Sequence, residues 1–158
     1  MSLTLEQLQR FTTELVDSPE HWCHLVRHAE GMRIYEQIWD DESVNAWVIC
    51  WSEDQDTGFH DHDDSAAAIA VISGRVREDR LTLGSAPSSR ELGPGSTFTV
   101  PEVAIHRVLH VGREPAVTIH AYSPPLRRTG AYRVGAGGIL ERQVQPHEVE
   151  LRPAPALV

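Results

Sequence analysis

Gly58-Phe59-His60-Asp61-His62 is the stretch on which the reading of the fold turns. Two histidines at i and i+2 on an extended chain project to the same face, so on a half-buried strand both imidazoles enter the interior. A second stretch, Gly95-Ser96-Thr97-Phe98-Thr99-Val100-Pro101, leads to His106, and Gly74 stands between the two. These two stretches carry three imidazoles, His60, His62 and His106. Imidazole suits Fe, Zn and Cu alike, and geometry decides among them.

Working outward, the period of two extends on both sides. Met32–Trp39 alternates, with Tyr35 and Gln37 on one side, and Ala46–Trp51, Ala66–Ser73, Val76–Leu83, Thr97–Val100, Ile105–Val111 and Ala116–Tyr122 read as further short strands. Turn residues separate them: Asp40-Asp41-Glu42-Ser43, Ser73-Gly74, Gly84-Ser85-Ala86-Pro87 and Gly93-Pro94-Gly95. Such a series predicts a mainly β, antiparallel, jelly-roll-like barrel or sandwich. The first thirty residues read as helical. Thr4-Leu5-Glu6-Gln7 has the form of a capping box, with Leu5, Leu8, Phe11 and Leu15 at helical spacing. Ser18-Pro19 is expected to open a second helix ending at Gly31, with His21, His24 and His28 on its exposed face. The expected organisation is one domain over 1–158: a helical prelude at 1–31, a barrel at 32–126, and a segment at 127–158 whose strand-like pieces pack along the outside.

The chain has 158 residues and a formal charge of −9, which argues against a nucleic-acid backbone as partner. All fourteen basic residues are arginines. Without lysine there is no Schiff-base chemistry and no Walker-type phosphate loop. Cys23 and Cys50 lack CxxC spacing, so neither a disulfide scaffold nor a zinc ribbon is indicated. There is no apolar run of membrane-spanning length and no signal-like N-terminus, so the expectation is a cytoplasmic protein with no membrane partner.

The His-x-His and Gly…Pro…His halves resemble the cupin superfamily, small β-barrels that hold a metal near the barrel axis. The resemblance narrows with Cys50-Trp51, His60-Asp61-His62-Asp63-Asp64-Ser65, Ile105-His106-Arg107-Val108, and the run Glu114–Leu126 with its His120-Ala121-Tyr122-Ser123-Pro124-Pro125. These are similar to cysteine dioxygenase and its thiol dioxygenase relatives over about residues 32–126. The resemblance implies a mononuclear non-haem Fe(II) enzyme that converts a small thiol and O2 to a sulfinic acid, working as a monomer or small homo-oligomer. A typical cupin adds a Glu about four residues after His-x-His. Here Ala66, Ala67 and Ala68 occupy that region, leaving the neutral triad His60, His62 and His106, with Asp63 or Asp64 as alternatives that adjoin a turn.

Thr118, His120 and Tyr122 stand at i, i+2 and i+4, so one strand carries a hydroxyl, an imidazole and a phenol on one face. The family uses a Ser-His-Tyr row in this place, which implies Tyr122 as proton donor, with His120 orienting it and Thr118 replacing the serine. His110 reads as structural. Two departures bear on substrate. Ala67 occupies the position of the cysteine that crosslinks to the tyrosine in animal members. Gln37, two after Tyr35, replaces the arginine that holds the substrate carboxylate, which resembles the bacterial branch acting on 3-mercaptopropionate; a larger thiol such as ergothioneine is a further possibility. A local arginine is then expected to bind the acid group. Arg107, Arg127, Arg128 and Arg133 are the candidates, which spacing does not rank. The competing readings are a non-catalytic ligand-binding cupin and another metallocupin oxygenase or isomerase.

Overall fold

The computed structural model describes residues 1–150; the part of the C-terminal segment at 151–158 lies outside the described residues. Helix α1 (Leu5–Val16) opens with the capping box. The Thr4 hydroxyl accepts from the Gln7 amide at 3.2 Å, and the Gln7 side chain accepts from the Thr4 amide at 2.9 Å. Leu8, Thr12 and Leu15 form its buried stripe. The second helical segment differs from expectation. It consists of two 3-10 turns, Pro19–His21 and Cys23–Leu25, separated at Trp22, where φ is −138°. The Trp22 indole donates to the Leu15 carbonyl at 2.9 Å, satisfying the end of α1 in place of a continued helix. His21, His24 and His28 are exposed on this irregular segment.

The strands are β1 (Ile34–Asp40), β2 (Asn45–Trp51), β3 (His60–Asp61), β4 (Ala66–Ser73), β5 (Val76–Arg80), β6 (Ser88–Leu92), β7 (Thr97–Val100), β8 (His106–His110), β9 (Ala116–Ser123), β10 (Arg128–Val134) and β11 (Leu140–Pro146), followed by a single turn of helix, α2 (His147–Glu150). They form two antiparallel sheets, β1-β2-β9-β4-β7 and β11-β10-β3-β8-β5-β6. From β2 to β9 the chain passes back and forth between the sheets. The result is a two-sheet jelly roll rather than one closed hydrogen-bonded cylinder. Strands β6, β10 and β11 go beyond the sequence-based expectation. The C-terminal pieces extend the second sheet instead of lying outside it, because β10 pairs with β3 at Gly130–Asp61 and Ala131–His60.

Between the sheets lie Trp47, Ile49, Trp51, Ile69, Phe98, Val108 and Leu126. The outer face of the first sheet is covered by α1, whose Leu8 and Leu15 pack on Ala46, Ala66, Ala68 and Ala121. Both faces of β2 and β9 are therefore buried along their whole length. The β2 sequence accordingly lacks the polar alternation of a half-exposed strand, whereas β9 alternates apolar residues with the buried Thr118, His120 and Tyr122. At the turn from β4 to β5, Gly74 has φ +69°, and a Cβ there would come 2.4 Å from the Pro115 carbonyl oxygen, so glycine is required.

Candidate metal centre

His60 and His62 project from β3 and the residue after it, and His106 opens β8 directly across from His60. All three are buried. The Nε2 atoms of His60 and His106 lie 3.2 and 3.3 Å from that of His62. Two imidazole nitrogens about 2.1 Å from one ion, at angles between a right angle and the tetrahedral value, stand roughly 3.0–3.4 Å apart. The cluster therefore fits a bound metal ion, and its donors are all neutral.

The far side of the rings prepares them for this. His60 Nδ1 sits 2.9 Å from the Gly58 carbonyl, and His106 Nδ1 is 3.3 Å from Glu78 Oε1. A carbonyl and an ionised carboxylate only accept, so both Nδ1 atoms carry the proton and both Nε2 lone pairs face the cluster.

Glu78 is a functional residue that sequence reading did not single out. Its side chain is buried at an inward position of β5, two residues after the core Val76. Burial alone would raise its carboxyl, but hydrogen bonds from His106, Arg80 and Arg90 outweigh this and bring it down to about 2. Arg80 also donates to the Thr99 carbonyl of the opposite sheet at 3.0 Å. The available signal was a carboxylate at an apolar parity position. Its partner, 28 residues away, is not visible from spacing.

Asp61, between the two ligands, points to the opposite face. It accepts from Arg142 through both Nε and Nη2, from the Tyr132 hydroxyl, and from the amides of Asp63 and Gly130. Burial opposes ionisation, but Arg142 and Tyr132 hold the carboxyl well below the usual carboxylate range. Gly130 leaves the space for this clamp, since a Cβ there would come 2.3 Å from Arg142 Nε. The strand carrying His60 and His62 is thus fastened from behind.

The first sheet supplies the neighbouring hydroxyl, imidazole and phenol. Thr118, His120 and Tyr122 are buried on the inner face of β9. His120 Nε2 lies 2.9 Å from Thr118 Oγ1, and His120 Nδ1 lies 3.3 Å from Tyr122 Oη. Trp51 Nε1 donates to the same threonine oxygen at 2.9 Å. Indole is only a donor, so Thr118 Oγ1 accepts from Trp51 and makes its second contact with His120 Nε2, and His120 Nδ1 carries the row on to the Tyr122 phenol. The Tyr122 ring lies 5.0 Å from that of His62, which brings phenol and imidazole cluster together. Ala67 is the residue opposite Tyr122 on β4.

The sequence-derived substrate residues are not all brought to this place. Tyr35 is half-buried against the interior cluster. Gln37 is exposed, opposite Trp47, in the cross-strand row that continues to His120. Arg107 lies on the other face of β8 from His106. Its guanidinium is engaged by Asp79 at 2.7 Å and Asp56 at 3.6 Å, and lies over the Phe59 ring. It does not join the site, because consecutive strand residues face opposite ways. Asp63 also turns away, pairing with Arg128 and Arg142, and Asp64 is exposed. His110 is structural, its Nε2 2.7 Å from the Glu114 carbonyl.

Two facing antiparallel sheets of this order give a double-stranded β-helix fold, here with a buried three-histidine cluster that fits a metal ion. Similar folds occur in a conserved double-stranded β-helix protein of Klebsiella pneumoniae (TM-score 0.56, 21% identity, 69% of this chain and 81% of that one) and in a cupin superfamily protein of Desulfitobacterium hafniense (TM-score 0.52, 13% identity, 63% and 85%). In sequence, residues 6–134 match the family described as cysteine dioxygenase type I. The chain is 26% identical to cysteine dioxygenase type 1 of Danio rerio over 148 residues (85% of this chain, 73% of the relative) and 28% identical to that of Rattus norvegicus over 144 residues (82% and 70%). This chain belongs to the cysteine dioxygenase type I family.

Proposed function

We propose that the protein is a mononuclear non-haem iron dioxygenase of small thiols, adding both atoms of O2 to RSH to give RSO2H. The observation that carries this reading is the adjacency of the neutral His60-His62-His106 cluster and Tyr122, with the phenol tied to His120. The three histidines would hold Fe(II), which supplies a Lewis-acidic centre where thiolate sulfur and dioxygen meet. Glu78 and the Gly58 carbonyl keep the ligand lone pairs on that centre. Tyr122 supplies a phenolic proton beside it, and His120 and Thr118 keep the phenol in place. Core packing around Trp47, Trp51 and Leu126 excludes water from the site's rear.

Gln37, uncharged where the resemblance sets an arginine, supports a substrate other than cysteine, with 3-mercaptopropionate as the first choice. A reduced thiol and ferrous iron both belong to a reducing compartment, consistent with a cytoplasmic enzyme. The test is anaerobic purification with metal analysis, followed by oxygen uptake and product mass over cysteine, 3-mercaptopropionate, cysteamine and ergothioneine. Stoichiometric iron and a product heavier by two oxygens are expected. Iron with no uptake on any thiol would overturn the proposal, and cysteine as best substrate by a wide margin would overturn the part that rests on Gln37.

A further inference from the structure

Strand β10 runs between β11 and β3, and its contacts show which way each of its side chains points. Arg128 pairs with Asp63, a Cβ on Gly130 would meet Arg142, and the Tyr132 hydroxyl donates to Asp61, so the even-numbered residues face the outer clamp. Thr129, between Arg128 and Gly130 on that strand, therefore faces the interior, and it is fully buried. Gly130 is opposite Asp61 and Ala131 opposite His60, which sets Thr129 level with His62. On its other side Thr129 is opposite Gln145 of β11. Gln145, Thr129 and His62 thus form one cross-strand row of polar residues on the face that carries the cluster.

The Thr129 hydroxyl has no hydrogen-bond partner among the described residues, so Gln145 does not engage it. A buried hydroxyl left in this way costs about 1–3 kcal/mol, and valine has the same shape without that cost. The neighbour on the other side is His62, whose ring stands in the middle of the cluster. The rings of His60, His106 and Tyr122 each lie 5.0 Å from it. Side chains directly opposed across two antiparallel strands have Cβ atoms about 4.5–5.5 Å apart. A strand residue holds χ1 near either 180° or −60°, so a change of χ1 carries the hydroxyl to the edge of the imidazole. With Nε2 of His62 given to a metal, the ring proton is on Nδ1, and a hydroxyl oxygen accepts from it.

We infer that Thr129 is a positioning residue for the metal centre, its hydroxyl accepting from the His62 imidazole and fixing that ring as the Gly58 carbonyl and Glu78 fix those of His60 and His106. All three ligands are then oriented from within the sheet that carries them. The inference concerns how the histidines hold a metal, whichever reaction that metal serves.

The test uses the full chain as wild type, T129V and T129S, with cobalt(II) alone as the probe. Affinity is read by chelator competition, ligand geometry by the visible absorption bands of bound cobalt(II), and the fold by the thermal midpoint of the metal-free proteins. T129V keeps the shape and loses the oxygen. Without metal it is expected to melt no lower than wild type, yet to bind cobalt(II) about 10–100-fold more weakly and with shifted bands. T129S keeps the oxygen and should restore both readings. Equal affinity with unchanged bands in T129V overturns the inference. A T129S protein that binds as weakly as T129V also overturns it, because the methyl group rather than the hydroxyl then matters. So does a metal-free T129V that melts far below wild type or does not fold, because the hydroxyl then serves the fold, and so does a wild type that binds no cobalt(II). Since the readings need no substrate, metal bound with no thiol oxidised would defeat the functional reading above and leave this test to decide on Thr129 alone.

Discussion

The two sheets carry two halves of the site and hold them by different physics. The first sheet, bearing Thr118, His120 and Tyr122, is buried on both faces, between the inner core and α1. Its side chains are placed by packing. The second sheet, bearing His60, His62 and His106, has an outer face on which Asp61, Arg142 and Tyr132, and Asp79 with Arg77, Ser89 and Arg107, are joined. Glu78, Arg80 and Arg90 form a further charged group on its inner side. Of its imidazoles, His106 is held by the Glu78 carboxylate and His60 by the Gly58 carbonyl, on a strand that ion pairs fasten from behind. Metal ligands need both a set position and a set tautomer, and a carboxylate or carbonyl behind the ring supplies both, whereas a methyl group supplies only position. The phenol needs chiefly position, which close packing and its contact with His120 supply.

The comparison can be broken most severely at the ligands. His62→Ala is expected to abolish stoichiometric metal, read by metal analysis of protein purified anaerobically, while the first sheet persists in far-UV circular dichroism. Tyr122→Phe, on the other sheet, should retain its metal and lose about 10²–10⁴-fold in oxygen uptake, as expected for a positioned proton donor. Metal loss in that variant would show that the two halves are not separable.

Stability separates the sheets more finely. Leu8→Ala, beneath α1, removes a fully buried side chain and should cost about 2–5 kcal/mol in urea unfolding, with little dependence on salt. Arg142→Ala should cost less, about 1–3 kcal/mol, because the guanidinium is partly exposed, and the loss should shrink in high salt. It should also weaken metal binding in chelator competition, which Leu8→Ala should not.

The smallest expected effect is one of pH. Burial would raise the Asp79 carboxyl, but hydrogen bonds from Ser89, Arg77 and Arg107 bring it from its ordinary 3.8 down to about 2. A lowered folded-state value means stability that is fully present above the unfolded value of 3.8 and is lost as pH falls toward about 2. The urea midpoint of the wild type should therefore fall between pH 4.5 and 2.5 more steeply than that of Asp79→Asn. Parallel slopes would remove Asp79 from the account of the outer face.

Most of the first sheet was legible in sequence. Ala66–Ser73 and Thr97–Val100 have the expected boundaries, and the Thr4 capping box forms as read. The C-terminal strands were less so. Leu140–Pro146 is almost wholly exposed along both faces and carries little hydrophobic alternation, so its place at a sheet edge comes from pairing with β10. The second helix was misread for a related reason: Trp22 is drawn out of helical geometry by a partner on α1, and local propensity does not record that.

At the site, residue spacing alone settles what depends on the pleat. Spacing of i and i+2 suffices to set His60 beside His62 and to line up Thr118, His120 and Tyr122, because alternation of side chains is a property of every extended backbone. Which charges are engaged depends instead on contacts between distant parts of the chain. Glu78 meets His106 across 28 residues, Asp61 meets Arg142 across 81, and Arg107 is held by Asp79 on the face away from the cluster. Ion pairs of this kind are settled by which strands become neighbours and which way each faces. That is why spacing alone could not place Arg107, which the fold turns away from the cluster.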